Sequence, residues 1–281
     1  MMILSIASGK GGTGKTTVVT NLAISLGKVQ IIDCDVEEPN VNIFLKAKIS
    51  ESEHVKVETP RVNSKCDYCG RCAEFCKYNA LAVLPNKVII FPELCHSCGG
   101  CELVCPNNAV EWNERAIGKI DHGSVGDIDF YQGVLKVGEA MATPLIKALK
   151  KKVDKNRHVI LDSPPGTACP VIETIRGSDF CLLVTEPTPF GLHDLKLAVE
   201  LVKRMAIPFG VIINRDGIGD EKVERYCQNE KIPILMKISH SEEIAYLYSQ
   251  GIPFVCELPE WFERFQHLFD RIQQEADIWN S

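Results

Sequence analysis

Ser8-Gly9-Lys10-Gly11-Gly12-Thr13-Gly14-Lys15-Thr16-Thr17 is the stretch that decides the fold, and it begins almost as soon as the polypeptide does. From Gly9 to Thr16 it fits the eight-residue glycine-rich phosphate-loop pattern, with one addition, a second lysine at Lys10. Its flanks agree. Met2 to Ala7 reads as a short buried strand, and Lys15 to Leu26 as a helix that stops at Gly27. Strand, loop and helix are what the chemistry needs, because backbone N–H groups at a helix start wrap a polyphosphate and the helix dipole favours its charge. In that frame Gly11, Gly12, Thr13, Gly14 and Thr17 line the phosphates, Lys15 reaches the terminal ones, and the Thr16 hydroxyl binds Mg2+.

Lys10 narrows the pattern. The run from Lys10 to Thr17 matches the deviant Walker A box of the family that includes MinD, ParA, the Mrp-type ATPases and the nitrogenase iron protein, and the chain resembles that family. The resemblance implies an ATPase whose extra lysine, here Lys10, reaches across a nucleotide-sandwich dimer to the partner's phosphates. A homodimer formed on ATP binding is therefore expected.

Length and composition set bounds. At 281 residues the chain can bury a real core, as one large domain or two small ones. A formal net charge of -6 gives no sign of a nucleic-acid surface. The apolar start lacks a charged region and runs straight into the phosphate loop, so it reads as a first strand and not as a leader; no stretch has the length and hydropathy of a membrane span. Thirteen cysteines are many for this length. In a cytoplasmic nucleotide-binding protein they read as metal ligands and not as disulfides.

After the first helix, Val29 to Asp33 is a second apolar strand running into the acidic turn Asp33-Cys34-Asp35-Val36-Glu37-Glu38-Pro39-Asn40. Ligands of open α/β sheets bind at such carboxyl ends. The family resemblance puts a nucleotide-sensing switch here, with Asp35 orienting the attacking water and Asp33 near the Mg2+ shell.

From about Val57 the character changes. Cys66, Cys69, Cys72 and Cys76 form a C-x2-C-x2-C-x3-C run, and Cys95, Cys98, Cys101 and Cys105 repeat it 29 residues later. The copies also agree at Gly70 and Gly99, Asn79 and Asn108, Ala80 and Ala109. This internal repeat resembles the two-cluster bacterial ferredoxin, except that Lys77 stands where many ferredoxins have proline. Zinc sites use pairs of cysteines more than triplets. The resemblance implies two [4Fe-4S] clusters with crossed fourth ligands. One takes Cys66, Cys69, Cys72 and Cys105; the other takes Cys76, Cys95, Cys98 and Cys101.

The nucleotide-binding pattern then resumes. Lys119 to His122 and Phe130 to Leu135 read as strands with glycines between them, and Pro144 to Val153 as an amphipathic helix whose lysine run is a solvated face. His158 to Asp162 is a buried strand ending in an aspartate suited to hold Mg2+ through water, followed by a Ser-Pro-Pro-Gly-Thr turn. Cys169 sits at a distance from Asp162 similar to that of a cluster cysteine in the nitrogenase iron protein. Without a second such cysteine, it is read with Cys34, Cys181, Cys227 and Cys256 as a buried structural thiol. Phe180 to Thr185 and Phe209 to Arg215 are core strands, with a helix at Leu192 to Met205 between them. Asn214 matches the family asparagine that bonds the adenine base, and Pro233, in a last strand Ile232 to Leu235, is expected to lie against that base. Pro259 to Trp279 reads as an amphipathic helix docked on the core, because its polar face is acidic where an anionic membrane calls for a basic one.

The expected fold is α/β: a mostly parallel P-loop NTPase sheet with helices on both faces, formed by residues 1–57 and 118–281, with an α+β ferredoxin-like domain inserted at 58–117. The expected function is an ATP-hydrolysing iron-sulfur protein that passes electrons to a redox partner. The alternative is a nucleotide-switched scaffold for cluster assembly, serving a cluster-accepting protein, or for cell positioning.

Overall fold

The computed structural model describes residues 1–280, and of Asn280 the backbone only; residue 281, the end of the expected 118–281 segment, lies outside them. In chain order the elements are β1 (Ile3–Ala7), α1 (Lys15–Leu26), β2 (Val29–Asp33), α2 (Val41–Leu45), β3 (Lys48–Val62), α3 (Arg71–Phe75), β4 (Leu81–Leu84), β5 (Lys87–Ile90), α4 (Gly100–Leu103), β6 (Val110–Val125), β7 (Ile128–Leu135) and α5 (Thr143–Lys150). There follow β8 (His158–Asp162), α6 (Cys169–Ile175), β9 (Phe180–Thr185), α7 (Pro189–Arg204), β10 (Phe209–Asp216), α8 (Lys222–Asn229), β11 (Ile234–Ser239), α9 (Glu242–Ser249) and α10 (Pro259–Asn280).

Nine strands form one sheet in the order β11-β10-β9-β1-β8-β2-β7-β6-β3. From β11 to β7 every pairing is parallel; β6 and β3 join antiparallel at the edge. The α/β class expected from the sequence is what forms. Its parallel strands read as continuous apolar runs because helices cover both faces. On one face Val18, Val19 and Leu22 of α1 and Trp261, Phe265, Leu268 and Ile272 of α10 share a core with Leu4, Ile31 and Phe130. Leu195, Val199 and Val202 of α7 with Val223 of α8 cover one part of the opposite face, and Leu145, Ile146 and Leu149 of α5 another. α10 therefore spends its apolar stripe on the core, as its acidic outer face predicts.

Several expectations shift. The boundaries expected at 57/58 and 117/118 fall inside β3 and β6, which pair from Lys48↔Ser124 to Val62↔Val110 with register shifts between Ile49 and Glu51 and between Val55 and Lys56. An edge ribbon with charged, outward residues carries no composition break at the point where it leaves the sheet, so the sequence hides its length. β6 likewise runs unbroken through Gly123, which pairs with both Ile49 and Phe130, and turns only after Val125. α7 starts at Pro189, where Thr188 Oγ1 accepts the Gly191 N–H at 2.9 Å as an N-cap. The lysine run of α5 is not uniformly solvated. Lys150 Nζ donates to the carbonyls of Glu173 at 2.7 Å and Thr174 at 3.0 Å, satisfying the carboxyl end of α6. Cys34, Cys181 and Cys227 are buried as expected, but Cys169 and Cys256 are exposed. Cys169 opens α6 at the exposed helix start.

Candidate functional site

The phosphate loop leaves β1 and enters α1 between β8 and β9, the strands that flank β1. This is the crevice at the carboxyl ends where an open α/β sheet takes its ligand. Two glycines explain themselves by contact. A Cβ on Gly9 would lie 2.1 Å from the Asp194 carbonyl oxygen, and Gly14, with φ +93°, leaves 2.2 Å between a hypothetical Cβ and Asn214 Nδ2. That amide donates to Thr13 O at 2.8 Å, while Asn214 Oδ1 accepts the Arg215 N–H at 2.9 Å. Asn214 thus ties the end of β10 to the loop.

Lys15 is buried among carboxylates. Desolvation lowers its pKa against the opposing pull of Asp162, Asp35 and Asp33. Burial in turn pushes Asp162 up to about 7, against Lys15 and Thr16, and Asp35 up to about 6. Asp33 is pushed up as well, by burial first and then by Asp162, its register partner on the next strand. The three carboxylates differ in what they hold. Asp33 Oδ1 accepts the Asp35 N–H at 3.0 Å, and its Oδ2 accepts the N–H groups of Asn40 and Val41 at 3.1 Å, so Asp33 pins the 33–41 turn. Asp162 Oδ2 accepts the Thr16 hydroxyl at 2.9 Å, and its Oδ1 is buried without a partner. A hydroxyl and an unsatisfied carboxylate oxygen side by side are hard oxygen donors of the kind Mg2+ takes, directly or through water. The chain's residues therefore fit the ion, with Thr16 and Asp162 better placed than Asp33.

A cleft of about 1,420 Å3, partly open to solvent, extends from this point; Gly11, Gly12, Gly14 to Thr17, Asp35 and Asn214 line it. Its far wall was not anticipated. Arg215, Ile218, His240, Ile244 and Tyr248 bring β10, β11 and α9 to the loop. No motif marks these residues; only their place at the carboxyl edge of the sheet does. Pro233 is not among them. It precedes β11 at the amino end and lines a separate hollow with Phe209 and Trp279, so its expected place against a base is corrected. The strand begins at Ile234, which leaves the proline at the wrong edge of the sheet.

Lys10 is held within the chain. Its Nζ pairs with the carboxylate of Glu186, which also accepts from Arg215 Nη1 at 3.1 Å. Glu186 follows β9 directly and is buried, a sequence signal that was there to read at the carboxyl edge.

The eight cysteines of the two runs line two hollows. Cys66, Cys69, Cys72 and Cys105 share one with Val62 and Val110; Cys76, Cys95, Cys98 and Cys101 share one with Trp112 and Tyr78. Each set draws three cysteines from one run and the last from the other. The backbone repeats with the sequence: φ is positive at Tyr68 and Ser97, Gly70 and Gly99, Asn79 and Asn108. Asparagine tolerates the left-handed region, which explains the paired asparagines. Matching N–H groups donate to sulfur, Tyr68 to Cys66 and Ser97 to Cys95 at 3.4 Å, Ala80 to Cys76 at 3.4 Å and Ala109 to Cys105 at 3.2 Å. Among the described residues no three His, Cys, Asp or Glu side chains close on a point to hold a single metal ion. Four sulfurs around the wall of a hollow suit a larger body.

Residues 4–254 match the CobQ/CobB/MinD/ParA nucleotide-binding domain. The chain belongs to that family. An uncharacterized protein of Methanocaldococcus jannaschii is 32% identical over 287 residues, 99% of this chain and 98% of that one. The iron-sulfur cluster carrier protein of Pyrococcus furiosus is 25% identical over 278 residues, covering 90% of this chain and 78% of its own. In fold, this CobQ/CobB/MinD/ParA member is similar to the septum site-determining protein MinD of Pyrococcus horikoshii, solved with Mg-ADP, at a TM-score of 0.58 and 23% identity over 99% of this chain and 98% of that one. It is accordingly an ATP-binding protein of the MinD/ParA type. Among the described residues no helix is long and apolar enough to cross a membrane.

Proposed function

We propose that this chain is an ATP-hydrolysing electron carrier in which a nucleotide-dependent homodimer governs two [4Fe-4S] clusters. The observation that carries the reading is the pair of four-cysteine hollows, each completed by the other run's last cysteine, on a ribbon continuous with the nucleotide-binding sheet. When bound, each cluster would accept one electron from a reduced donor protein and pass it to an acceptor. The chain's part is to hold the sulfurs with the backbone N–H groups of Tyr68, Ala80, Ser97 and Ala109 and to wall the inner sides of the hollows with Trp112 and Val110. At the other site Lys15 binds the terminal phosphates, Thr16 and Asp162 hold Mg2+, and Asp35, partly exposed at the cleft, orients the attacking water. Lys10 acts on the second copy after leaving Glu186. The expected setting is cytoplasmic, where thiolates keep their clusters. The partners are a second copy and a redox protein, and the formal charge of -6 supports neither nucleic acid nor an anionic membrane as a third.

Anaerobic reconstitution tests the reading. Iron, sulfide and two reducible signals are expected, and reduction should change ATP turnover. Capture experiments with an Asp35→Ala variant, which should hold the ATP state, then compare reduced with oxidised protein for the partner retained. Turnover that ignores redox state would remove the coupling from the proposal.

The named carrier protein from Pyrococcus furiosus favours a second reading, a nucleotide-switched carrier that releases clusters to an apo-protein. Transfer of iron and sulfide to an apo-ferredoxin on ATP addition is its signature, and retention of both clusters through many turnovers excludes it.

A further inference from the structure

The 33–41 turn is hydrogen-bonded to the far edge of the sheet. Val36 O accepts the Leu135 N–H at 2.8 Å at the end of β7, and the next residue, Lys136, donates its N–H to Ile117 O on β6 at 2.8 Å. Glu139, three residues on, donates its N–H back to Lys136 O at 3.0 Å, so the segment is a tight turn and not a loose linker. The Glu139 side chain is only 1% exposed. A buried carboxylate needs a partner, and it has one in Arg115 of β6. Arg115 Nη2 donates to Oε1 at 3.1 Å and Nη1 to Oε2, a two-pronged pair.

The same arginine lies on β6 three residues beyond Trp112, which lines the nearer of the two cysteine hollows. Its register partner on β3 is Val57, and the adjacent Glu58 accepts through its carbonyl a bond from Ser97 Oγ, inside the Cys95 to Cys98 loop. Trp112, on the same strand as Arg115, forms part of that hollow's wall, whereas the other hollow lies further out, at Val62 and Val110. Arg115 Nε is buried without a partner.

We propose that the Arg115–Glu139 pair is the joint through which the state of the nucleotide turn reaches the hollow of Cys76, Cys95, Cys98 and Cys101. Nucleotide then shifts the reduction potential of the cluster held there and leaves the other cluster unmoved. The inference rests on the electron-carrier reading above. Its physics is the cancellation of charge. With Glu139 seated, the Arg115 charge is neutralised; when the 136–139 turn moves with Val36, a mostly buried cation is left uncompensated on the ribbon beneath the hollow and stabilises the extra electron. Arg115 and Glu139 are positioning residues and touch no nucleotide.

The test is a potentiometric titration followed by electron paramagnetic resonance, with and without a non-hydrolysable ATP analogue and Mg2+. In the wild-type chain one of two potentials is expected to move. The shift should persist in Cys69→Ala, which keeps the inner cluster, and vanish in Cys98→Ala, which keeps the outer one. Glu139→Gln should raise the inner potential without nucleotide, abolish the shift and, by reciprocity, make analogue affinity the same for oxidised and reduced protein, while iron content stays as in wild type. Arg115→Lys, which keeps the charge and loses the two-pronged pair, guards against misfolding of the first variant and should also lose the shift. A wild type in which both potentials or neither move, or a shift that survives in both joint variants, overturns the inference. Protein without iron and sulfide sinks the electron-carrier reading and this inference together; intact clusters with unmoved potentials sink the inference alone.

Discussion

Lys10 is paired with Glu186, 176 residues further along the chain, and Glu186 also holds Arg215 at the edge of the nucleotide cleft. The residue expected to reach a second copy is thereby tethered at home, and dimer formation must break a partly exposed ion pair. Such a pair is worth about 1 kcal/mol, roughly fivefold in an equilibrium. Glu186→Gln is therefore expected to strengthen ATP-dependent self-association about fivefold per protomer, measured by sedimentation velocity, and Lys10→Ala to abolish hydrolysis without loss of ADP binding. A Glu186→Gln chain that associates more weakly than wild type would assign the glutamate to the dimer contact itself.

Asp162 and Asp35 give the site a pH dependence with a definite sign. Burial holds their folded pKa values at about 7 and about 6, above the ordinary 3.8. Between those values the folded chain keeps protons that the unfolded chain has lost. Their contribution to stability is thus present below pH ~4 and is lost as pH rises through 6 to 7. Mg2+ needs the ionised carboxylate, so binding should release protons in that window. Mg2+ affinity is expected to fall about tenfold from pH 8 to pH 6 beyond the titration of the nucleotide itself. Calorimetry in buffers of different ionisation enthalpy measures the release; Asp162→Asn should remove most of it.

Crossed ligation predicts a pattern of iron loss. Because Cys76 lines the hollow of Cys95, Cys98 and Cys101, the double variant Cys76→Ala, Cys95→Ala should lose no more iron than Cys95→Ala alone, about half the total. Cys76→Ala combined with Cys72→Ala should lose nearly all. Iron and acid-labile sulfide assays after anaerobic reconstitution distinguish these outcomes, and the reverse pattern would mean that each run holds its own cluster.

α10 is a structural helix on this reading. Phe265, fully buried against Phe254 and Trp261, should cost about 3–5 kcal/mol when replaced by alanine. Phe262, one of the exposed large apolar residues of the same helix, should cost under about 0.5 kcal/mol. Urea unfolding followed by tryptophan fluorescence compares them. Equal costs would mean that the helix docks by another face.

What could be read from the sequence is what local chemistry enforces. The glycine loop, the buried strands β1, β2, β8 and β9 and the helix α1 were legible because each is set by residues next to one another: apolar runs covered on both faces, a left-handed glycine, a helix that ends at Gly27. The repeated cysteines were legible for the same reason, since a triplet on one turn is a local pattern. The tertiary structure decided what depends on residues far apart. Only the folded sheet puts Glu186 on Lys10, leaves Asp162 Oδ1 bare beside Thr16, sends Pro233 to the wrong edge and carries β3 and β6 unbroken across the expected domain boundaries. Ion pairs and buried oxygens have no periodicity: the sequence can place Glu186 at a strand end, but its pairing with Lys10 exists only once strand order brings the two together. The phosphate loop named its ligand by itself; which carboxylate stands beside Thr16 and which glutamate pairs with Lys10 were decided by the order β9-β1-β8-β2.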